Sequence, residues 1–315
     1  MLKIWYGEGT GTLEERQDIK LNEWIQLVRP TEEELERVAA ATGVPEDVLE
    51  MVMDPKASPR IERRQGVVMM VVHVPFEREE VDYYEDSRFV TVPLGIVHAK
   101  DQIITVSHED LEDLWEPFHS TLATEYGTFM KTRFTLLLLR QVAENYEDIL
   151  DQVDLLLRRL ERQLQKAQRN REIYALLHIE KTAVQYATSL RQMVTLLRRI
   201  QTGRYIKLYT DDNAHLSETA IELQQAYEAA DLYATNTANI LDAYANVVQN
   251  NLNHILKYLT FFSLLVAVPT TVATIYGMNV PLPYQEEPWA FSALATLSLV
   301  IAAVMAGILR WRKLI

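Results

Sequence analysis

Residues 259–279 read LTFFSLLVAVPTTVATIYGMN. From Leu259 to Tyr276 there are 18 residues without a charge, and from Trp289 to Leu309 another 21. Each run is long enough to cross a hydrocarbon core of about 30 Å as a helix. Residues 277–288 between them are too few for anything but a short loop, so the two runs predict a transmembrane hairpin. Lys257 precedes the first span, and Arg310, Arg312 and Lys313 follow the second, whereas the loop has no Lys or Arg and carries Glu286 and Glu287. Positive charge stays on the cytoplasmic side, which puts both termini inside and the loop outside. Tyr258, Tyr276, Trp289 and Trp311 stand where interfacial aromatics are expected.

The first span is unusually polar. Thr260, Ser263, Ala267, Thr270 and Thr274 recur at steps of three and four, one helix face with a seven-residue repeat. The same steps run back through Leu256, Asn253, Gln249 and Asn246 to Asp242. On a lone stalk such a stripe is a solvent face. Inside a membrane polar side chains turn toward protein or a water-filled lumen. Two helices cannot enclose a lumen; a ring of identical subunits can, with the stripe facing its axis.

No Gly or Pro interrupts the pattern from Ala214 to Pro269. This predicts one helix of about 60 residues, roughly 90 Å long at 1.5 Å per residue. Upstream, residues 129–167 and 171–200 carry apolar side chains at helical spacing, with breaks at Gln201–Gly203 and Thr210–Asn213, and form a candidate antiparallel hairpin. The first 125 residues differ. Thr31 followed by Glu32, Glu33 and Glu34 marks a helix start, and a second lies at Val44-Pro45-Glu46-Asp47. Residues 2–6, 67–74, 89–97 and 102–106 are rich in β-formers. The expected order is an α+β domain over 1–125, a helical hairpin over 126–213, a stalk helix over 214–258, spans at 259–276 and 289–309 around the loop 277–288, and a basic tail at 310–315.

Composition narrows function by exclusion. With 44 acidic and 31 basic residues the chain has a net charge of −13, unsuited to non-specific nucleic-acid binding and suited to attracting cations. It has no cysteine, which removes disulfides, thiolate metal sites and cysteine catalysis. Gly7-Glu8-Gly9-Thr10-Gly11 lacks the Lys-Ser/Thr of a phosphate-binding loop and reads as a turn. The seven histidines are scattered, and no HExxH or nucleophile elbow is present. An enzyme is therefore not expected, nor a bound organic cofactor.

Tyr276-Gly277-Met278-Asn279, placed between the last two spans of a chain with long helices before them, resembles the signature of the CorA family of divalent cation transporters. Lys257-Tyr258-Leu259-Thr260 is similar to that family's entry to the first span, and Pro59-Arg60-Ile61-Glu62 to its segment before the central strands. The basic Arg310-Trp311-Arg312-Lys313 fits as well. The resemblance implies a homopentamer in the cell membrane, with a cytoplasmic funnel of α/β/α sandwich-like modules and a pore lined by the long helix. It implies passive inward transport of Mg2+, often with Co2+ or Ni2+, and Mg2+ as the regulatory ion. By the same resemblance Asn279 forms a ring at the outer mouth, with Gly277 and Met278 shaping the turn, and Thr270 a ring below it. Asp242 falls at the acidic gate position, with Asp82, Glu85 and Asp86 as candidate partner carboxylates.

Two departures from the family pattern stand out. The loop after the signature reads Val280-Pro281-Leu282-Pro283-Tyr284-Gln285-Glu286-Glu287, with its acids later than usual, and Ala267 replaces a bulkier residue at the pore constriction, leaving Leu256 and Leu259 as hydrophobic gates. A zinc transporter of the same superfamily, proton-coupled or not, is the near alternative, and a non-conducting membrane-anchored interaction protein the distant one.

Overall fold

A computed structural model describes residues 1–9, 11–78, 81–82, 84–164, 170–281, 283–284 and 287–311. Glu286, Tyr83 and the tail residues Arg312 and Lys313 lie outside them, as do Thr10, Leu282 and Gln285. By its internal contacts the chain divides into two units, Met1–Ile240 and Leu241–Ile315.

The first unit is built on a seven-stranded mixed sheet. Its strands are β1 (Leu2–Tyr6), β2 (Glu14–Arg16), β3 (Trp24–Val28), β4 (Arg60–Arg64), β5 (Val67–Glu77), β6 (Phe89–His98) and β7 (Ile103–Ser107), in the order β2-β1-β3-β7-β6-β5-β4. Neighbours are antiparallel except β3 and β7, which run parallel with Trp24 opposite Ile103. Helices α1 (Glu32–Thr42) and α2 (Glu46–Met53) cover one face. There Leu35, Val38, Val48, Leu49 and Val52 meet Ile25, Leu27, Met69, Val71 and Val106. Thr31 caps α1 as its sequence suggests: its hydroxyl accepts from Glu34 N (3.3 Å) while the Glu34 carboxylate accepts from Thr31 N (3.0 Å). Gly43, at φ 71°, ends the helix in the left-handed conformation that a side chain disfavours. At Gly95 space is the constraint, because a Cβ there would sit 2.5 Å from Val52 Cβ.

Helices α3 (Glu112–Glu125), α4 (Lys131–Leu164) and α5 (Arg171–Gln201) cover the opposite face. The anchor is Trp24, fully buried, with ring centroids 5.2 Å from Phe134, 5.4 Å from Trp115 and 5.5 Å from Phe118. Its indole N–H donates to Thr105 Oγ1 at 2.8 Å, so the one polar atom of the ring is satisfied. Burying each of these rings contributes roughly 1.5–3 kcal/mol. The layers are helix, sheet, helix, the expected α/β/α sandwich.

Strand β7 pairs with β6 only from Leu94 onward, leaving Phe89–Pro93 without a strand on that side. Helix α5 takes its place. Thr182 Oγ1 donates to Phe89 O (2.9 Å), Tyr186 OH to Val90 O (3.2 Å) and Gln185 Nε2 to Thr91 Oγ1 (2.7 Å). The two long helices pack on each other and on the sheet, as one layer of the sandwich. After a connection, α6 runs from Asp212 to Tyr276 without a break, and α7 spans Ala290–Trp311.

His98 sits under α4, with Nε2 2.7 Å from Thr135 Oγ1. The Thr135 proton goes to Lys131 O (3.0 Å), so its oxygen accepts and His98 Nε2 carries the hydrogen of a neutral ring. Burial, with the Lys131 charge nearby, lowers the His98 pKa from 6.5 to about 4. Burial moves His73 and His119 in the same direction. Between these pH values the unfolded chain takes up a proton that the folded one refuses. The stability is therefore fully present above about pH 6.5 and lost as pH falls toward 4, by roughly 3 kcal/mol for His98 at most. In detergent, the soluble unit is expected to melt lower at pH 4.5 than at pH 7, and His98→Gln to flatten that dependence. An unchanged pH profile in the variant would remove His98 as a source.

Candidate ion pathway

The second unit holds the end of α6, the loop and α7. Among the described residues these are the two helices long and apolar enough to cross a membrane. Along α6, Asp242, Asn246, Gln249, Asn253, Leu256, Thr260, Ser263, Ala267, Thr270 and Thr274 are all exposed. Phe261, Leu265, Val268, Pro269, Val272 and Tyr276 are instead half-buried. At about 3.6 residues per turn the two sets are centred on the order of 160° apart. The polar stripe and the covered face are therefore opposite sides of one helix. On α7 the buried positions are Ala290, Ser298 and Ala302, small side chains at four-residue or doubled four-residue steps. Pro269, Val272 and Tyr276 share a groove with Ala290, Leu294 and Ser298, which identifies the covered face of α6 as the one turned to α7.

The hydroxyls on the stripe are oriented by their own helix. Thr270 Oγ1 donates to Val266 O and Thr274 Oγ1 to Thr270 O, and the adjacent Thr271 Oγ1 to Ala267 O, each at 2.8 Å. With the proton spent on the backbone, each oxygen keeps its lone pairs for an outside donor. Lower down, Gln249 Nε2 donates to Asn253 Oδ1 (3.3 Å), joining two stripe amides. Such hydroxyl and amide oxygens are able to accept hydrogen bonds from water.

Helix α6 closes at the signature. Gly277 N–H is shared between Ala273 O (2.9 Å) and Thr274 O (3.2 Å), and Met278 N–H reaches Ile275 O (3.3 Å). A Cβ on Gly277 would lie 3.3 Å from Ala273 O, so glycine lets the last turn tighten. Met278 and Asn279 are exposed just past it. Tyr276 OH donates to Pro283 O (3.1 Å), tying the returning loop to the helix end, and Tyr284 packs on Trp289 with centroids 5.7 Å apart. Glu287 is exposed in the loop.

The acidic turn belongs to the first unit. Asp82 pairs with Arg171 (3.2 Å) and accepts from Tyr84 N (3.0 Å), while Arg171 lies 3.8 Å over the Tyr84 ring. Asp86 pairs with Arg78 (3.1 Å). The Ser87 N–H bond, then the charges of Arg78, Lys181 and His178, hold Asp86 below the usual carboxylate value. Glu85 is exposed. Two of the three candidate gate partners are thus already matched to cations of their own chain. Among the described residues no group of three or more His, Asp or Glu side chains is arranged to hold a metal ion.

One feature went unread in the sequence. The three-four steps do not stop at Asp242: Asn239, Thr235, Leu232, Glu228, Gln225, Ile221 and Glu218 continue them, and all are exposed. Ile221 and Leu232 disguise the run as ordinary amphipathic helix. The buried set Leu216, Thr219, Leu223, Ala226 and Ala230 keeps the same seven-residue period on the other side.

Comparison with known proteins agrees with this architecture. The family model for the CorA-like Mg2+ transporter protein matches residues 21–312. The chain belongs to the CorA-like Mg2+ transporter family. The cobalt/magnesium transport protein CorA of Methanocaldococcus jannaschii is 24% identical over 296 residues, 91% of this chain and 89% of that protein. The cobalt/magnesium transport protein CorA of Thermotoga maritima is 19% identical over 287 residues, 89% of this chain and 79% of that protein. The complete structure of the Methanocaldococcus jannaschii CorA magnesium transporter superposes with a TM-score of 0.82 at 20% identity, covering 98% of this chain and 97% of that one. The CorA fold therefore extends over essentially the whole chain, and the protein is a membrane transporter of the divalent-cation class.

Replacing Tyr276 by Phe removes the hydroxyl link to Pro283 and little else. It is expected to cost about 1 kcal/mol or less, and to make the loop after Asn279 more readily cut in limited proteolysis. Cleavage at the wild-type rate would mean that this bond does not hold the loop.

Proposed function

We propose that the chain is one subunit of a homopentameric CorA channel that passes Mg2+, and with it Co2+ or Ni2+, inward down the membrane potential. The observation that carries this reading is on α6: one uninterrupted helix has an exposed stripe of amide and hydroxyl oxygens on the side opposite its α7-facing side, and that helix ends in Gly277-Met278-Asn279. A lipid-facing helix has no use for such a stripe; a ring of them lines a wet pore. The names of the two relatives, cobalt/magnesium transport proteins, support the choice of ion.

Mg2+ gives up its water reluctantly. A neutral ring of Asn279 amides at the outer mouth, and Thr274 and Thr270 oxygens below it, contact that water shell without stripping it. Leu256 and Leu259 narrow the path by apolar contact. Glu287, with Glu286 beside it in sequence, raises the local cation concentration outside. Charge flanking the spans places both termini in the cytoplasm and the loop outside. In this reading residues 1–213 form the cytoplasmic body, 214–258 the stalk, 259–276 the pore span and 289–309 the outer span.

Cytoplasmic Mg2+ closes the channel by bridging Asp242 to carboxylates of a neighbouring subunit, with the turn of Asp82, Glu85 and Asp86 as the source. Glu228 and Glu218 add charge to the same face of α6. When Mg2+ falls, like charges are left facing one another and the ring loosens.

Purified protein in liposomes with an inside-negative potential is expected to take up Mg2+ in preference to Zn2+, and Asn279→Ala to abolish the uptake. Zinc flux exceeding magnesium flux would move the protein to the zinc branch of the superfamily, and silence of an intact wild-type oligomer toward every divalent ion would remove transport altogether. Asp242→Ala is expected to lose the protection against protease that Mg2+ confers. Protection equal to wild type would remove Asp242 from the gate.

A further inference from the structure

Helix α5 is buried on most of its circumference, against α4 and the sheet. From Tyr174 to Arg198 its exposed positions form one narrow seam at three- and four-residue steps. The N-terminal half of the seam is apolar: Tyr174, Leu177 and Val184 are 56%, 43% and 50% exposed. Lys181 lies among them, Arg191 and Arg198 follow, and the positions between are threonines; no acid stands on it. None of these three cations makes an ion pair among the described residues, although the Lys181 charge reaches Asp86. The chain as a whole is at −13, hence −16 with the three set aside.

From this charge contrast we infer that the α5 seam is a contact surface for a second copy of this chain, receiving an acidic face of the neighbouring subunit. A basic seam on a chain whose net charge is −13 is attracted to a copy of that chain. A patch that fits a different patch makes a heterologous, head-to-tail contact, the kind that closes into rings. The three apolar side chains supply the area that exclusion of water rewards. The layout differs from a helix lying on a membrane, where basic residues flank an apolar strip along its length; here apolar and basic segments follow one another along a single line. The inference rests on the proposed ring and names which surface of the soluble unit holds it together.

The absence of cysteine makes the test direct. Full-length Leu177→Cys, purified in detergent without added lipid, is expected to lose maleimide reactivity in the native oligomer and regain it on denaturation. Leu21→Cys, on an exposed turn, is expected to stay reactive in both. Arg191→Glu with Arg198→Glu, away from the pore helix, is expected to shift the protein from oligomer to monomer in light scattering while its circular dichroism stays unchanged. Free reactivity at Leu177→Cys in an intact oligomer overturns the seam and leaves the ring standing. Protection that arises only with anionic liposomes also overturns it, in favour of lipid. A wild-type protein that is monomeric in detergent and after crosslinking in membranes overturns ring and seam together.

Discussion

A hydrogen-bonding side chain in a bilayer must find a partner, and the rest of the molecule follows from how α6 meets that demand. Thr270 and Thr274 satisfy their protons within the helix and leave oxygen lone pairs facing outward. Hydrocarbon offers nothing to those oxygens. Water does, and one subunit cannot hold a column of it. In the proposed ring, these residues give the first span an oxygen-lined face suited to an aqueous path. The opposite side of the helix carries Phe261, Leu265 and Val272, and α7 answers with small side chains at Ala290, Ser298 and Ala302. The stripe and the hairpin contact divide one cylinder between them.

The first unit solves a different problem, how to finish a sheet whose strands differ in length. Strand β6 has ten residues and β7 five, so half of β6 is left open. Thr182 of α5 caps Phe89 O there, while Tyr186 and Gln185 hold Val90 O and the Thr91 side chain. Trp24 fixes the other end of the same face by packing between α3 and α4. Both contacts join residues far apart in sequence, and through them the paired long helices become part of the sandwich.

Much of this was legible in the residues. The apolar runs, the break before the long helix, the Thr31–Glu34 cap and the strands expected at 67–74 and 89–97, which extend to Glu77 and His98, follow from local composition and turn chemistry. Strand β3 did not. Residues 24–28 read WIQLV, with no alternation, because both sides of the strand are covered and Gln26 is buried by accepting from Trp5 Nε1 (2.9 Å). Strand β4 reads RIERR, charged as an edge strand is, with Ile61 as its single apolar residue. The stripe on α6 was readable only where its residues are polar in an apolar setting; toward Glu218 the surroundings are polar too, and contrast is lost. The ion pairs of Asp82 and Asp86 depend on Arg171 and Arg78, and the Arg171 partnership, 89 positions away in sequence, could not be read from the local pattern.

The way α5 seals β6 bears on how the chain comes to be folded. Phe89 O waits for a hydroxyl 93 positions further on, and Val90 O for one 96 positions further on. Closing loops of that length is slow compared with forming a hairpin. Until α5 has been made and has docked, Phe89–Pro93 is an open strand margin able to pair with another chain. On the ribosome the sheet must therefore wait, with its edge bare, for a helix that has yet to be synthesised. Crowding during translation is therefore a condition under which this margin is open to a foreign strand.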